Sequence, residues 1–395
     1  MWVASGQRER ATSARRVLLI AGIVLIAANL RGPLTMVGPL LETIRAETGL
    51  SAGEAGLLPA LPLLAFAIVS PSVSGIAGKL GLERLLWIAL VVLAAGIVVR
   101  SVPAPGLLWA GTLLLGLAIA VGNVLMPSLI KRDFPDNVSV MTGVYSTVMS
   151  VVGAVVSGLA VPIAAVSAGG WRVALASLAG FVLIAVAVWW PQSRTPPATA
   201  VVERAASGPL WRSALAWQVT AYMGLQSLGF YVVLSWLPSI LQDWGSSAAG
   251  AGWALFYVQV LGVTMTAAVP VFARRMRDQR ALAAGGSLLS LIGYLGLMLA
   301  PAAAPLWVTL IGLATGTCFV LALSFLSLRA ADSRQAAALS GMAQAVGYSL
   351  AAVGPVLFGA LHDVTDGWTV PLAALSVAAV AQMIAGLGAG RAREV

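Results

Sequence analysis

Twelve stretches of about twenty apolar residues succeed one another along this 395-residue chain, and nearly every charge falls between them. They occupy 17–41, 53–77, 84–102, 106–130, 138–163, 171–191, 212–238, 248–273, 281–300, 305–328, 335–361 and 368–389. Each can cross the roughly 30 Å hydrocarbon core of a bilayer as a helix, whereas a barrel strand needs only about ten residues. Without water to bind backbone N–H and C=O groups, helices and closed barrels are the only spanning forms. Runs of this length select the helix. The composition agrees: 59% of residues are hydrophobic and 9% charged, against about 25% charged in soluble domains. The first run follows Arg15 and Arg16 as a signal peptide would, yet it continues past Arg31 with no small-residue cleavage site, so a retained span is expected. The single Cys318 lies within a run and rules out a disulfide framework.

A formal charge of +9 would suggest a nucleic-acid partner in a soluble chain. Here the basic residues stand in short clusters between the runs, where they act as topology signals, and no nucleic acid is expected. Twelve crossings leave both termini on one side. Every Lys and Arg except Arg31, Arg45, Arg100 and Arg172 then lies on that side, while Glu42, Glu47, Glu54, Asp243, Asp363 and Asp366 lie opposite. The positive-inside rule puts both termini in the cytoplasm. The polar stretch after the sixth run makes 192–210 a cytoplasmic linker between residues 1–191 and 211–395. An internal repeat supports that division. SAGEAG from Ser51 returns as SAAGAG from Ser247, SLIKR ending at Arg132 as LSLRA after the tenth run, and GGWRVALASLAG from Gly169 as DGWTVPLAALSV from Asp366, the displacements all lying between 196 and 198 residues. Three echoes in order at one spacing predict an all-α membrane protein of twelve transmembrane helices in two pseudo-symmetric six-helix bundles, the parallel-repeat architecture of transporters.

The segment SGIAGKLGLER from Ser74 is similar to the G-x-L-a-D-R-x-G-R-R loop of the major facilitator superfamily, with Ala77, Lys79, Gly81 and Arg84 matching. Ser74 stands for the first Gly and Gly78 for the Asp, which removes the acidic partner of the interhelix ion pair usual there. Within that superfamily, ANLRGPLTMVGPLL from Ala28, GNVLMPSLIKRDFP from Gly122 and GALHDVTDGW from Gly359 resemble signatures of the cyanate/nitroimidazole permease family. The resemblance implies a proton-linked or facilitative permease for small solutes such as cyanate or substituted nitroimidazoles, in a bacterial cytoplasmic membrane. It also implies that spans 1, 4, 7 and 10 line a cavity, that 2, 5, 8 and 11 gate it, and that 3, 6, 9 and 12 face lipid.

Arg31 is the charge that falls well inside an apolar run. It lies about 15 residues past Arg16, roughly 22 Å of helix and so near the midplane. A guanidinium at that depth costs at least a few kcal/mol and is a functional candidate by default. No intramembrane carboxylate is available to it, and its planar fork suits a carboxylate, cyanate or nitro group. Helix snorkelling, or bonding to carbonyls of a helix broken at Gly32 and Pro33, is the competing role. Asn29 and Asn123 serve either ligand contact or interhelix bonding. In the second half Tyr222 with Gln226, and Gln344 with Tyr348, are spaced four apart and form two ladders suited to a planar polar solute. Gln259 is a further mid-run candidate. Tyr145, Ser146 and Met149 are weaker ones, and Tyr231 and Tyr257 fit a role as interface aromatics equally well. His362, beside Asp363 at the outer end of run eleven, is a candidate proton sensor, although neighbours on a helix point apart.

The sequence shows no P-loop, no embedded Asp or Glu relay, no metal-ligand cluster and no hydrolase spacing. Neither catalysis nor a cofactor or metal is expected, which disfavours a membrane enzyme or receptor. The expected partners are a small-molecule substrate, protons in one version, and the lipid bilayer, for a chain acting as a monomer. The leading function is alternating-access transport of a small polar or anionic solute. The alternative is proton-coupled export of drug-like aromatics, for which the glycine pair Gly153 and Gly158 resembles the span-five motif of antiporters without its Gly-Pro. In a variant lacking Cys318, cysteines placed at Ser193 and Arg277 should label from the cytoplasmic face alone, and one at Asp366 from outside alone. Labelling at position 193 from outside intact cells would reverse the orientation.

Overall fold

The computed structural model describes residues 2–194, 209–273, 275–331 and 333–393. The expected linker at 192–210 lies almost entirely outside them. Among the described residues the α-helices are α1 (Trp2–Thr35), α2 (Val37–Thr48), α3 (Ala52–Ala55), α4 (Leu57–Leu80), α5 (Leu82–Ser101), α6 (Leu107–Asp133), α7 (Val138–Val166), α8 (Gly170–Ser193), α9 (Ala214–Asp243), α10 (Ala248–Ala273), α11 (Arg280–Leu299), α12 (Ala304–Leu328), α13 (Ser333–Thr365) and α14 (Thr369–Ala389). Twelve spans are long and apolar enough to cross a membrane. The first two differ from the uninterrupted runs expected. The first is interrupted at Met36 between α1 and α2, three residues after Pro33, whose ring removes a helical N–H; Met36 itself keeps α-region dihedrals of −70° and −22°. Gly49, with φ 71°, ends α2 in the left-handed conformation that glycine adopts without strain. The second span opens with the short α3, capped by Ser51 and Glu54 in a reciprocal capping box.

The helices sort into two groups. In the first, α5 packs on α6 and α8, α4 on α6, and α1 on α7 and α8; in the second, α9 packs on α13 and α14, α11 on α12 and α14, and α10 on α12. The groups meet along two seams, α4 with α13 and α7 with α10, and α2 packs across onto α9. Exposed apolar side chains such as Phe181 and Ile184 on α8, Val377 and Ile384 on α14, and Val98 on α5 form the lipid-facing surface.

The internal repeat has a structural meaning. Trp171 donates its indole N–H to Glu47 at 2.5 Å, and Trp368 donates to Asp243 at the same distance. Each bond ties the start of a bundle's last helix to the end of its first span. Arg172 also bonds Glu47, and its donation, with that of Trp171, holds the carboxyl below the usual carboxylate range. The contribution of such a depressed carboxylate is present above its unfolded pKa and lost as pH falls through the folded value. The seams repeat as well: Gly56, capping α4, abuts the Pro355 carbonyl of α13, and Gly252 of α10 abuts the Ser157 carbonyl of α7. At Arg132 the halves diverge. Arg132 pairs with Glu83 at 2.6 Å and with Asp133 at 2.7 Å, so an acidic partner from α5 fills the role left vacant at Gly78. Its repeat partner Arg329 instead donates to the carbonyls of Ala389 and Gly390 at the end of α14.

Replacing Trp171 or Trp368 by Phe keeps an aromatic side chain, deletes the bond and leaves part of the indole's space unfilled. Each change should lower thermal unfolding stability in detergent by at least about 1 kcal/mol, to a similar extent in the two halves. A loss confined to one of them would show that the repeated bond is not equivalent.

Candidate functional site

Between the bundles, Arg31 projects from α1 one turn before the break. Its Nη1 donates to Ser150 Oγ of α7 at 3.3 Å, and its Cζ stands 4.8 Å from the ring centroid of Phe230 on α9. Gly153 leaves room for the stem, since an added Cβ there would meet Arg31 Cγ at 3.1 Å. The phenols of Tyr231, Tyr348 and Tyr145 lie within electrostatic range of the guanidinium. Tyr145 donates to Asn123 Oδ1 at 3.0 Å, Tyr348 packs edge-on to Phe66 of α4, and Phe230 packs edge-on to Tyr231. Among the described residues Arg31 has no carboxylate within ion-pair distance. The result is a cation between two bundles, walled by aromatic rings and faced by hydroxyls. Such a site can take a planar anion or a nitro group, with ring stacking beside charge-assisted hydrogen bonds.

The two seams close at one end and open at the other. Away from the termini, Gly53 meets Ala360, Gly56 meets Pro355, and Gly359 meets the Ala52 carbonyl. On the second seam Gly158 meets Trp253, and Gln259 donates to Ser157 Oγ at 2.8 Å. Towards the termini, Gly75 and Gly78 on α4, Gly143 on α7 and Gly341 on α13 face open space. The closed end carries a latch. Asp363 of α13 accepts the N–H groups of Ala52 and Gly53 at 3.0 and 2.7 Å, with Arg45 of α2 at 3.8 Å. His362 stacks on Trp368 at 4.3 Å and reaches Asp243 at 3.7 Å and Asp363 at 3.9 Å.

Residues 17–355 match the family model described as Major Facilitator Superfamily. The chain belongs to the Major Facilitator Superfamily. It is 45% identical to the 2-nitroimidazole transporter of Escherichia coli (strain K12), over 96% of this chain and 97% of that protein. It is 28% identical to the cyanate transport protein CynX of the same organism, over 92% and 94%. Among solved structures, an inward-facing, unoccupied bacterial homologue of the human lysosomal transporter Spinster superposes with a TM-score of 0.81 at 14% identity, covering 96% of this chain and 98% of that one. The protein is thus a multi-pass membrane transporter.

Several expected site residues of this facilitator lie elsewhere. Asn29 is buried and donates to the carbonyls of Leu25 at 2.7 Å and Phe181 at 3.3 Å, joining α1 to α8 on the face away from Arg31. Tyr222 is fully buried inside the second bundle, against Phe325 and Gly386. Gln226 is buried one turn on, its Oε1 accepting from Ser227 at 3.4 Å. Gln344 is exposed towards the open end and bonds along its own helix to Ser340. With Tyr222 inside its own bundle and Gln344 at the open end, the two ladders do not face each other as complete pairs, while Tyr348 lies within electrostatic range of Arg31. Gln259 is committed to the seam with Ser157. Asn123 reaches the site through Tyr145. His362 and Asp363 converge on one cluster despite being neighbours, because Asp243 and α3 approach them from the sides. Phe230, Ser150 and Phe66 were not singled out from the sequence, since single aromatics and serines in apolar runs carry no periodic signal. Replacing Asp363 by Ala should release the closed end. Spin labels at Ala46 and Val364 should then report a longer or broadened distance, and an unchanged distribution would show that the latch does not hold the bundles.

Proposed function

We propose that this facilitator carries a small planar solute with a negative or strongly polar group, of the cyanate or nitroimidazole kind, across the bacterial cytoplasmic membrane by alternating access. In this proposal both termini are cytoplasmic, and the bundles 1–191 and 211–395, joined by 192–210, rock against each other in a monomer. The open end is then the inward one. The observation that carries the reading is the Arg31 guanidinium between the bundles, with aromatic walls and no carboxylate partner among the described residues. A ligand bound there touches α1 and α7 from one bundle and α9 and α13 from the other. It can therefore bias the rocking equilibrium, which a ligand confined to one bundle cannot do. The names of the relatives support the solute class. External protons enter this proposal through His362, which once protonated would pair with Asp243 and Asp363 and compete for the carboxylate that latches α3.

Loss of the charge-assisted contact should cost about 1.5–3 kcal/mol, or roughly 10- to 150-fold in affinity. In proteoliposomes, Arg31→Ala should abolish uptake of cyanate and 2-nitroimidazole, and Arg31→Lys should reduce it at least tenfold, with thermal stability retained. Uptake at the unmodified rate in both variants would overturn the site. The same assay with and without an inward pH gradient, in the parent chain and in His362→Gln, tests the proton link: a gradient stimulation that survives the substitution removes His362 from the mechanism.

A further inference from the structure

A second arginine is buried in the first bundle. Arg100 stands one residue from the end of α5, at the margin of its apolar run, with 1% of its surface exposed. It forms no ion pair among the described residues. Its one hydrogen bond runs from Nη1 to the carbonyl of Pro33 at 2.9 Å, while Nε and Nη2 have no partner. Its backbone is held tightly, because Gly111 of α6 packs so closely that an added Cβ would lie 2.6 Å from Arg100 Cα. A buried guanidinium with two unused donors is a costly way to satisfy one carbonyl, and an apolar residue of similar volume is often the more stable choice.

The carbonyl it holds is at an informative place. Pro33 follows Arg31 by two residues, and the helix is interrupted at Met36, which keeps α-region dihedrals (φ −70°, ψ −22°) and donates to the Gly32 carbonyl at 3.1 Å. From the other side Thr35 Oγ1 donates to the Gly153 carbonyl of α7 at 2.7 Å. Gly153 is also the residue against which the Arg31 stem lies. The break is thus clamped by α5 on one face and by α7 on the other, and Arg31 is the last charged residue before it.

We propose that Arg100 is a positioning residue for substrate binding: through the Pro33 carbonyl it sets the break in the first span and so the direction in which Arg31 points. The proposal rests on the reading of Arg31 as the substrate anchor. Arg100 touches no substrate and works through backbone placement, so its worth should appear in affinity and be absent from stability.

The test is a double-mutant cycle in the full-length protein, with cyanate binding and uptake as the probe. Arg100→Met should weaken cyanate affinity about tenfold while the thermal midpoint stays level or rises. Arg100→Lys, which keeps one donor for the carbonyl, should recover affinity to within about threefold of the parent. In an Arg31→Lys background, Arg100→Met should cost less than twofold, because the group it positions is already altered. Affinity within twofold for Arg100→Met alone, an equal loss in both backgrounds, or loss of the folded state in both Arg100 variants would each overturn the proposal. Parent-level uptake in Arg31→Lys and Arg31→Ala would remove the anchor reading itself, and this proposal with it. A tenfold defect in Arg31→Lys beside an intact Arg100→Met would leave the anchor standing and refute only the positioning role.

Discussion

In the hydrocarbon core no water is present to satisfy a polar group, and every N–H, C=O and side-chain dipole must find its partner inside the protein. Most of the polar residues in the spans answer this locally. Thr112, Ser235, Ser287 and Ser376 each return a hydroxyl to the carbonyl four residues earlier. Others tie helices together: Trp189 donates to the Glu83 carbonyl, Trp236 to the Pro355 carbonyl, and Asn29 to that of Phe181. Against these satisfied groups, Arg31 ends on a single long bond to a serine and an aromatic face, and Arg100 on a single carbonyl.

The duplication supplies the symmetry of the frame, and departures from it supply the function. Glycines at 56 and 252 let the two seams close in the same way, and the paired Trp–carboxylate bonds brace both bundles alike. Yet Asp363 has Val166 at its repeat position. The hydrogen-bonded latch onto α3 therefore exists on the α4–α13 seam, while the α7–α10 seam is held by the uncharged Gln259–Ser157 contact. Arg31 and Arg100 likewise sit in the first bundle, and the second contributes rings and phenols.

The break in the first span links these features. Pro33 cannot donate a helical N–H within the first span, and α2 beyond it packs against α9 and carries Arg45 to the latch. Arg31 and the closed-end contact of Arg45 are consequently parts of one segment of chain, about four helical turns apart. Movement of that segment would reach both.

Twelve spans, their duplication and the prominence of Arg31 were legible in the amino-acid order, because hydropathy over twenty residues and the cost of a buried charge are properties of the chain itself. The positions of polar side chains around each helix were not. Tyr222 and Tyr348 occupy similar sequence contexts, yet one packs into its own bundle and the other faces Arg31; the difference comes from the rotation of α9 and α13, which packing against neighbours determines. By sequence Arg100 is a charge at the edge of its run, and only the close approach of α6 through Gly111 and of the Pro33 carbonyl makes it an interior residue with a carbonyl to hold. His362 and Asp363, pointing apart along one helix, share a cluster because α3 and Asp243 arrive from chain segments more than a hundred residues away. Sequence determined which residues lie in the membrane and at what depth; tertiary packing alone decided which of them meet, since in a bilayer many helix rotations bury apolar surface equally well and only interhelix contacts distinguish among them.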